Sequence, residues 1–217
     1  MSVWTRPALW WRLAIVISAG LGLILGTGSL VYFTIESNVI VLGYFAGAVY
    51  WMAKRGTVEA PAPRLRGAAT LYILITGLVA HILLNHGANP LPGLTSGPDR
   101  LQHWSSFFLH YVTPVMVILD WLCLAPRNAS RWRDLPVWLS FPLSYAGLTL
   151  LRAALFPDFP NKYPYFFLDP SEHGYGWVAL QIVQLTVEFI VLAAAVVGMD
   201  RLGTAVRTKL RPARATA

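Results

Sequence analysis

The chain has 217 residues, of which 56% are hydrophobic and only 12% are charged, and its mean hydropathy is +0.53. So few charged residues could not cover the surface of a soluble domain, so the composition predicts an integral membrane protein. The single cysteine, Cys123, excludes an internal disulfide and a cysteine-based metal cage. The net charge of +7 is carried by short basic clusters between apolar runs, which is typical of membrane topology signals rather than of nucleic-acid binding.

Six apolar segments follow one another along the chain, each close to the ~20 residues that a helix needs to cross the hydrocarbon core of a membrane. They predict an all-α polytopic membrane protein, with one transmembrane domain of six helices over residues 1–200 and a basic, frayed cytoplasmic tail over 201–217. The predicted spans are residues 10–30, 31–53, 68–87, 104–124, 136–156 and 177–199.

The first segment has two interpretations, a cleaved signal peptide or a retained span. Its charge-free stretch, residues 13–30, is longer than the usual ~7–15-residue apolar region of a signal peptide, so we expect a retained span. Residues 26–29 (GTGS) predict a tight hairpin into the second span.

Lysine and arginine are distributed unevenly between the two sides of the predicted bundle. Fourteen of the 17 lie on the side that carries the termini and the connections over 54–67 and 125–135. Because basic flanks stay in the cytoplasm, we expect both termini to be cytoplasmic and the loops over 87–103 and 157–176 to be external. The second of these loops is rich in aromatic residues, which predicts either an interfacial aromatic belt or a lid over a site below.

Four of the predicted spans place a polar side chain at a similar depth below the external surface. At ~1.5 Å per residue, Thr34 is about 5 Å deep and Arg152 about 6 Å deep, while His81 and His110 are both about 9 Å deep. Taken singly, a threonine bonded to its own backbone or a histidine that joins two helices would explain them. Their convergence at one level predicts a polar cavity that faces the bundle interior.

Three further polar residues are assigned to this cavity. Asn38 and Asn85 each lie four residues from one of these side chains, on the same helix face. Glu36 points elsewhere and is expected either to pair with Arg152 or to stay protonated, because an unpaired charge at this depth is costly.

Two acidic residues lie at other levels. Glu188 is in the middle of the last predicted span, and Asp120 is near the cytoplasmic end of the fourth. We expect Asp120 to pair with Arg127 or Arg131 at the cytoplasmic interface.

Four motifs carry a resemblance to a known family. They are residues 32–38 (YFTIESN), 109–111 (LHY) followed by Pro114, 163–169 (YPYFFLD) and 174–176 (GYG). Together they resemble the androgen-induced-gene family of integral membrane proteins, most closely its bacterial branch, over residues 10–200. The resemblance implies a multi-pass protein of the bacterial plasma membrane.

The same resemblance implies an intramembrane hydrolase of long-chain fatty acid esters, with a threonine nucleophile and a histidine partner. The family's threonine corresponds to Thr34 and its histidine to His110, with an acidic residue ten positions later at Asp120. The chain departs from the animal pattern at Pro114, which is one position closer to the histidine, and at Ser37, where the animal proteins have an acidic residue.

Ester hydrolysis fits the predicted depth of these two residues. A threonine hydroxyl needs a base within ~2.6–3.2 Å, and a neutral histidine can take its proton and return it to the leaving alcohol. A lipid ester in the outer leaflet would present its carbonyl at this level. Substrate-binding or supporting roles are predicted for Asn38, His81, Asn85, Arg152 and Glu36. The candidates for orienting His110 are Asn38, Asn85, Glu36 and Glu188, and those for binding the oxyanion are His81 and Asn38.

Two other interpretations use the same residues. The first is a non-catalytic lipid-binding or transport protein with the same polar cavity. The second is a haem or metal protein with His81 and His110 as ligands, although the fifth and sixth spans have no histidine for a second haem. We favour the hydrolase, and we expect a membrane lipid or lipid ester as partner and neither a cofactor, a metal nor a nucleic acid.

Overall fold

The computed structural model describes residues 3–95, 97–124 and 130–210, the last eight as backbone only, and these ranges are all-helical. The helices are α1 (Pro7–Leu25), α2 (Phe33–Arg55), α3 (Pro63–Leu78), α4 (Arg100–Phe107), α5 (Thr113–Cys123), α6 (Leu135–Leu155) and α7 (Gly174–Leu210). Two π-helical segments complete them: π1 (Val79–Leu84) continues α3, and π2 (Phe108–Val112) joins α4 to α5. The seven helices therefore form six rods.

Each of the six predicted segments overlaps one rod, and within the described ranges five rods are long and apolar enough to cross a membrane. This is consistent with an integral membrane protein. The sixth rod, α6, is not among the five. It has 21 residues, but proline, serine and Arg152 lower its apolar character. The five candidate spans are Pro7–Leu25, Phe33–Arg55, Pro63–Leu84, Arg100–Cys123 and Gly174–Leu202.

The ends of α2 follow local sequence rules. Glu36 lies in the first turn and Lys54 and Arg55 in the last, where each charge complements the helix dipole. Gly56 follows in the left-handed conformation, with φ of 64°, and ends the helix.

Two predicted boundaries were wrong. Helix α1 ends at Leu25, so the connection to α2 runs over residues 26–32 instead of forming a four-residue hairpin. A turn at its end, in which the Tyr32 N–H donates to the Ser29 carbonyl at 3.1 Å, delays the start of α2. Helix α7 continues through Leu210, because no proline or turn signal interrupts the chain before Pro212; residues 211–217 of the predicted tail lie outside the described ranges.

Helix α3 is the centre of the bundle. It contacts α2, α5, α6 and α7, and it is the most buried of the five candidate spans. One apolar cluster packs α3 against α6 and α7, and a second packs it against α1, α2 and α5. The positions of the other helices therefore depend on α3.

A buried ionic network joins α1, α3 and α5, and it corrects the prediction for Asp120. One carboxylate oxygen of Asp120 accepts from Arg12 Nε at 2.9 Å, and the other accepts from Arg66 Nη2 at 2.6 Å. All three side chains are at most 1% exposed. Arg131, one of the two predicted partners, is exposed and forms no ion pair with Asp120 within the described ranges, and Arg127 lies outside those ranges. Helix packing places the buried guanidinium groups of Arg12 and Arg66 beside Asp120.

We expect Asp120→Asn to destabilise the protein by about 3–5 kcal/mol, because it removes the charge that balances two buried guanidinium groups. Arg64→Gln is the matched control, since it breaks the pair with Asp134 but changes a side chain that is 61% exposed. The control is expected to cost at most about 1 kcal/mol. Unfolding of both variants in detergent measures the difference, and equal losses would contradict the prediction.

Candidate active site

The first turn of α2 places Thr34 beside His110 of π2. Thr34 is the second residue of α2 and is buried. Its Oγ1 lies 3.2 Å from His110 Nε2. The two residues come from different rods, so this contact depends on the packing of α2 against π2.

The contacts of the second ring nitrogen of His110, Nδ1, indicate which of the two ring nitrogens carries the proton. His110 Nδ1 lies 3.0 Å from the Ser106 carbonyl oxygen and 3.1 Å from the Ser106 hydroxyl. A carbonyl can only accept, so Nδ1 is the protonated nitrogen of the neutral imidazole. Nε2 is therefore free to accept the hydroxyl proton of Thr34, which is the arrangement that a general base requires.

Close packing around π2 holds His110 in place, and two glycines permit it. A Cβ at Gly77 of α3 would lie 3.0 Å from the His110 carbonyl oxygen, and one at Gly22 of α1 would lie 2.7 Å from Leu109 Cδ2. Gly77 therefore lets α3 approach the backbone of π2, and Gly22 lets α1 approach its side chains. Single π-helical turns within α-helices occur frequently at functional sites.

The aromatic loop over residues 157–176 reaches the site through Tyr165. Its hydroxyl oxygen accepts from the Thr34 backbone N–H at 3.3 Å and lies 3.4 Å from Thr34 Oγ1. Tyr165, Phe167 and Leu168 are buried, whereas Phe166 is exposed. Burial raises the pKa of the Tyr165 hydroxyl, so this group stays protonated and can donate a hydrogen bond. Of the two interpretations of this loop, the contacts favour a lid.

A pocket with a largely apolar lining adjoins Thr34. It encloses about 620 Å³ of empty space, part of it open to the surroundings. Its lining runs from Ile75 to Leu84, a distance of about 14 Å along α3 and π1. Helices α6 and α7 and the aromatic loop form the other walls. The apolar chemistry of the pocket lining suits an alkyl chain.

Asn38 lies next to Thr34 but is already bonded. Its Nδ2 donates to the Thr34 carbonyl at 2.9 Å and to the Leu109 carbonyl at 3.4 Å. These bonds join α2 to π2 behind the two reactive side chains. Asn38 is therefore a positioning residue, and its amide hydrogens are not directed at an oxyanion.

His81 and Asn85 lie apart from Thr34. Both contact Tyr111, the residue that follows His110. His81 Nδ1 is 3.3 Å from the Tyr111 hydroxyl, and Asn85 Nδ2 donates to the same hydroxyl at 3.2 Å. His81 is half-buried and Asn85 is exposed. The two predicted histidines therefore contact different partners, Tyr111 and Thr34.

Arg152 and Glu36 also lie outside the Thr34 pocket. Both line a separate groove between α2 and α6. They do not form the predicted ion pair, since no nitrogen of Arg152 lies within 4.0 Å of a carboxylate oxygen of Glu36. The single predicted layer is thus divided by helix packing, since a shared depth does not determine which way a side chain points.

Sequence reasoning missed the two groups that complete the site, Ser106 and Tyr165. Ser106 lies four residues before His110, a spacing that places both on one helix face and could have identified it. Tyr165 had no comparable signal, because only the folding of the loop brings it to Thr34. Glu188, another predicted partner of His110, instead accepts a hydrogen bond from Gln184 on the same helix.

Comparison with protein-family models, with curated proteins and with solved structures returns no match to this chain. We therefore infer function from the geometry around Thr34 and His110.

We expect Gly77→Ala to destabilise the protein by about 1–3 kcal/mol, because the new methyl group would be forced against the backbone of His110. Gly47→Ala in α2 is the matched control, since a Cβ there meets nothing within 4 Å. Alanine is the better helix former, so the control is expected to be neutral or stabilising by up to ~1 kcal/mol. Thermal unfolding in detergent distinguishes the opposite signs, and a loss at Gly47 as large as that at Gly77 would contradict the argument.

Proposed function

We propose that this protein is an intramembrane hydrolase of lipid esters, such as long-chain fatty acid esters, in which Thr34 is the nucleophile and His110 is the base. The observation that carries the proposal is the 3.2 Å contact between Thr34 Oγ1 and His110 Nε2, combined with the Ser106 carbonyl that holds the proton on Nδ1. A hydroxyl, an oriented imidazole and an adjoining apolar pocket are the elements that acyl transfer from a lipid requires.

In the proposed first step, His110 Nε2 removes the proton of the Thr34 hydroxyl as Oγ1 attacks the ester carbonyl carbon. The carbonyl π electrons move to its oxygen, which becomes an oxyanion. The imidazolium that forms keeps its Nδ1–H bond to Ser106 throughout, so the ring does not have to turn between accepting and donating a proton.

Two features support stabilisation of the oxyanion. Thr34 lies in the first turn of α2, where the helix dipole is positive. The Tyr165 hydroxyl, 3.4 Å from Thr34 Oγ1, is within reach of an oxygen attached to the carbon that Oγ1 attacks. Tyr165 therefore takes the role for which the sequence suggested His81 or Asn38.

In the second half of the reaction, His110 returns its proton to the alkoxide as the ester bond breaks, which leaves an acyl group on Thr34 and releases the alcohol. Water then attacks the acyl carbon, His110 takes a proton from the water, and Thr34 leaves with that proton as the free carboxylic acid forms. The acyl chain would lie in the apolar pocket between α3, α6 and α7.

We also propose that all six rods cross the membrane, with both termini in the cytoplasm of a bacterial cell. The support is the basic side of the chain and the resemblance of its motifs to the androgen-induced-gene family. Helix α6 would be the least apolar span, and its polar side chains Tyr145 and Thr149 are buried against the bundle instead of facing lipid.

The alternative function is lipid binding or transport without catalysis. The apolar lining of the pocket favours it, because the same walls would hold a lipid that is not cleaved. The two functions differ in whether the Thr34 hydroxyl reacts.

We expect Thr34→Ala and His110→Ala each to lower ester hydrolysis by on the order of 10³-fold or more, because neither group acts without the other. The double variant is expected to be within about twofold of the weaker single variant, since residues that act as a unit are not additive. Thr34→Ser is expected to keep part of the activity, because it keeps the hydroxyl and loses only the methyl that restricts its rotamer.

Turnover of a long-chain ester in nanodiscs measures these effects, with thermal stability followed in parallel. Labelling by a fluorophosphonate provides a second measurement that is expected in the wild type and absent in Thr34→Ala. Full turnover by folded Thr34→Ala would reject the nucleophile, and wild-type protein that neither reacts nor turns over would favour lipid binding.

We expect Tyr165→Phe to lower kcat by about 10²–10³-fold, the loss typical of removing one oxyanion donor. Tyr163→Phe is the control, because it removes a hydroxyl from the same loop at a position that does not line the Thr34 pocket. If KM changes in Tyr165→Phe while kcat does not, Tyr165 binds substrate and does not stabilise the transition state.

We expect labelling of single cysteines to place residue 89 outside and residue 59 inside, in a Cys123→Ser background. Both native residues, Asn89 and Glu59, are exposed. A membrane-impermeant reagent that reaches residue 59 and not residue 89 would reverse the orientation.

A further inference from the structure

A second recess lies between α2 and α6, separate from the Thr34 pocket. It encloses about 770 Å³ of empty space, part of it open to the surroundings. Tyr145 lines both recesses and so separates them. We call this recess the Arg152 groove; the residues that matter for its chemistry are Glu36, Val39, Ile40, Leu148 and Arg152.

Arg152 lies at one end of the groove, and one of its N–H donors has no acceptor. Its Nη2 donates to the Lys162 carbonyl at 3.3 Å, and its guanidinium lies 5.1 Å from the centre of the Phe159 ring. Its Nε is buried and has no hydrogen-bond partner. A buried charged donor without an acceptor is costly, and a phosphate or carboxylate is the group that a guanidinium binds through Nε and Nη together.

Glu36 supplies a negative charge in the same groove. It is half-buried and forms no ion pair with Arg152 within 4.0 Å. A simple anion would satisfy Arg152 but would be repelled by Glu36. A ligand with an anionic and a cationic group would match both side chains.

The rest of the groove is apolar and opens sideways. Val39 is 43% exposed and Leu148 is 64% exposed, so the wall continues onto the outer surface of α2 and α6. Glu36 is in the first turn of α2, and Arg152 is in the last turn of α6. The charges therefore lie at the helix ends, and the apolar wall begins one turn or less away, as a headgroup above an acyl chain would require.

We propose that the Arg152 groove binds a zwitterionic phospholipid with a primary amine, with its phosphate on Arg152, its ammonium on Glu36 and one acyl chain along Val39, Ile40 and Leu148. An ethanolamine headgroup carries its two charges on either side of an ethylene bridge, so it can contact both side chains without bringing them together. The site contains neither Thr34 nor His110, so it does not depend on the proposed hydrolysis, although it does rest on the proposed membrane location.

Native mass spectrometry of the protein released from nanodiscs tests the site. The nanodiscs contain equal parts of phosphatidylethanolamine, phosphatidylcholine and phosphatidylglycerol. Wild-type protein is expected to retain phosphatidylethanolamine in preference to the other two lipids.

Arg152→Gln is expected to lower the retention of phosphatidylethanolamine by about tenfold, the effect of losing a charge-assisted contact. Glu36→Gln is expected to remove the preference for the amine over phosphatidylglycerol. Arg100→Gln, at an exposed arginine in α4, is the charge control.

A second pair of variants leaves both charges in place. Leu148→Trp is expected to fill the groove and lower retention, whereas Leu151→Trp, at an exposed leucine of the same helix that does not line the groove, is expected to have no effect. Retention of phosphatidylethanolamine that is unchanged in folded Arg152→Gln and in Leu148→Trp would overturn the proposal. A wild-type preference for phosphatidylglycerol, or a selectivity that Glu36→Gln leaves unchanged, would overturn the role of Glu36.

Discussion

The ionic network of Arg12, Asp120 and Arg66 is the interaction on which the rest of the structure depends. It joins α1, α5 and α3 through side chains that are almost fully buried. Two guanidinium groups and one carboxylate can be buried only if the three helices stay together. His110 lies ten residues before Asp120 on the same rod, about 15 Å away along it, so the network anchors the rod that carries the candidate base.

Above that network, the close approach of α1 and α3 to π2 sets the geometry of the candidate site. Gly22 and Gly77 bring α1 and α3 against π2, and the π-helical turn presents His110 to the start of α2. Asn38 then joins α2 to π2 through two backbone carbonyls. The Thr34–His110 contact is consequently supported on several sides, which is what a preorganised nucleophile and base require.

The polar groups at the end of the bundle that carries Thr34 belong to separate sites. Thr34 and Tyr165 line the apolar pocket, with His110 in contact with Thr34, and His81 and Asn85 bind Tyr111. Glu36 and Arg152 face another groove on the far side of Tyr145. A hydrolytic site and a lipid site would thus share one wall, and each can be altered without changing a residue of the other.

The sequence by itself determined the helical class, the six apolar segments and the depth of their polar residues. It also determined relations within one helix, such as that of Asn38 with Thr34, because a fixed rise and turn per residue make them local. Only the tertiary structure decided that Tyr165 reaches Thr34, that Asp120 binds two distant arginines and that Arg152 faces another groove. Those outcomes depend on the rotation of each helix and on loop folding, which packing between distant segments sets and local periodicity does not.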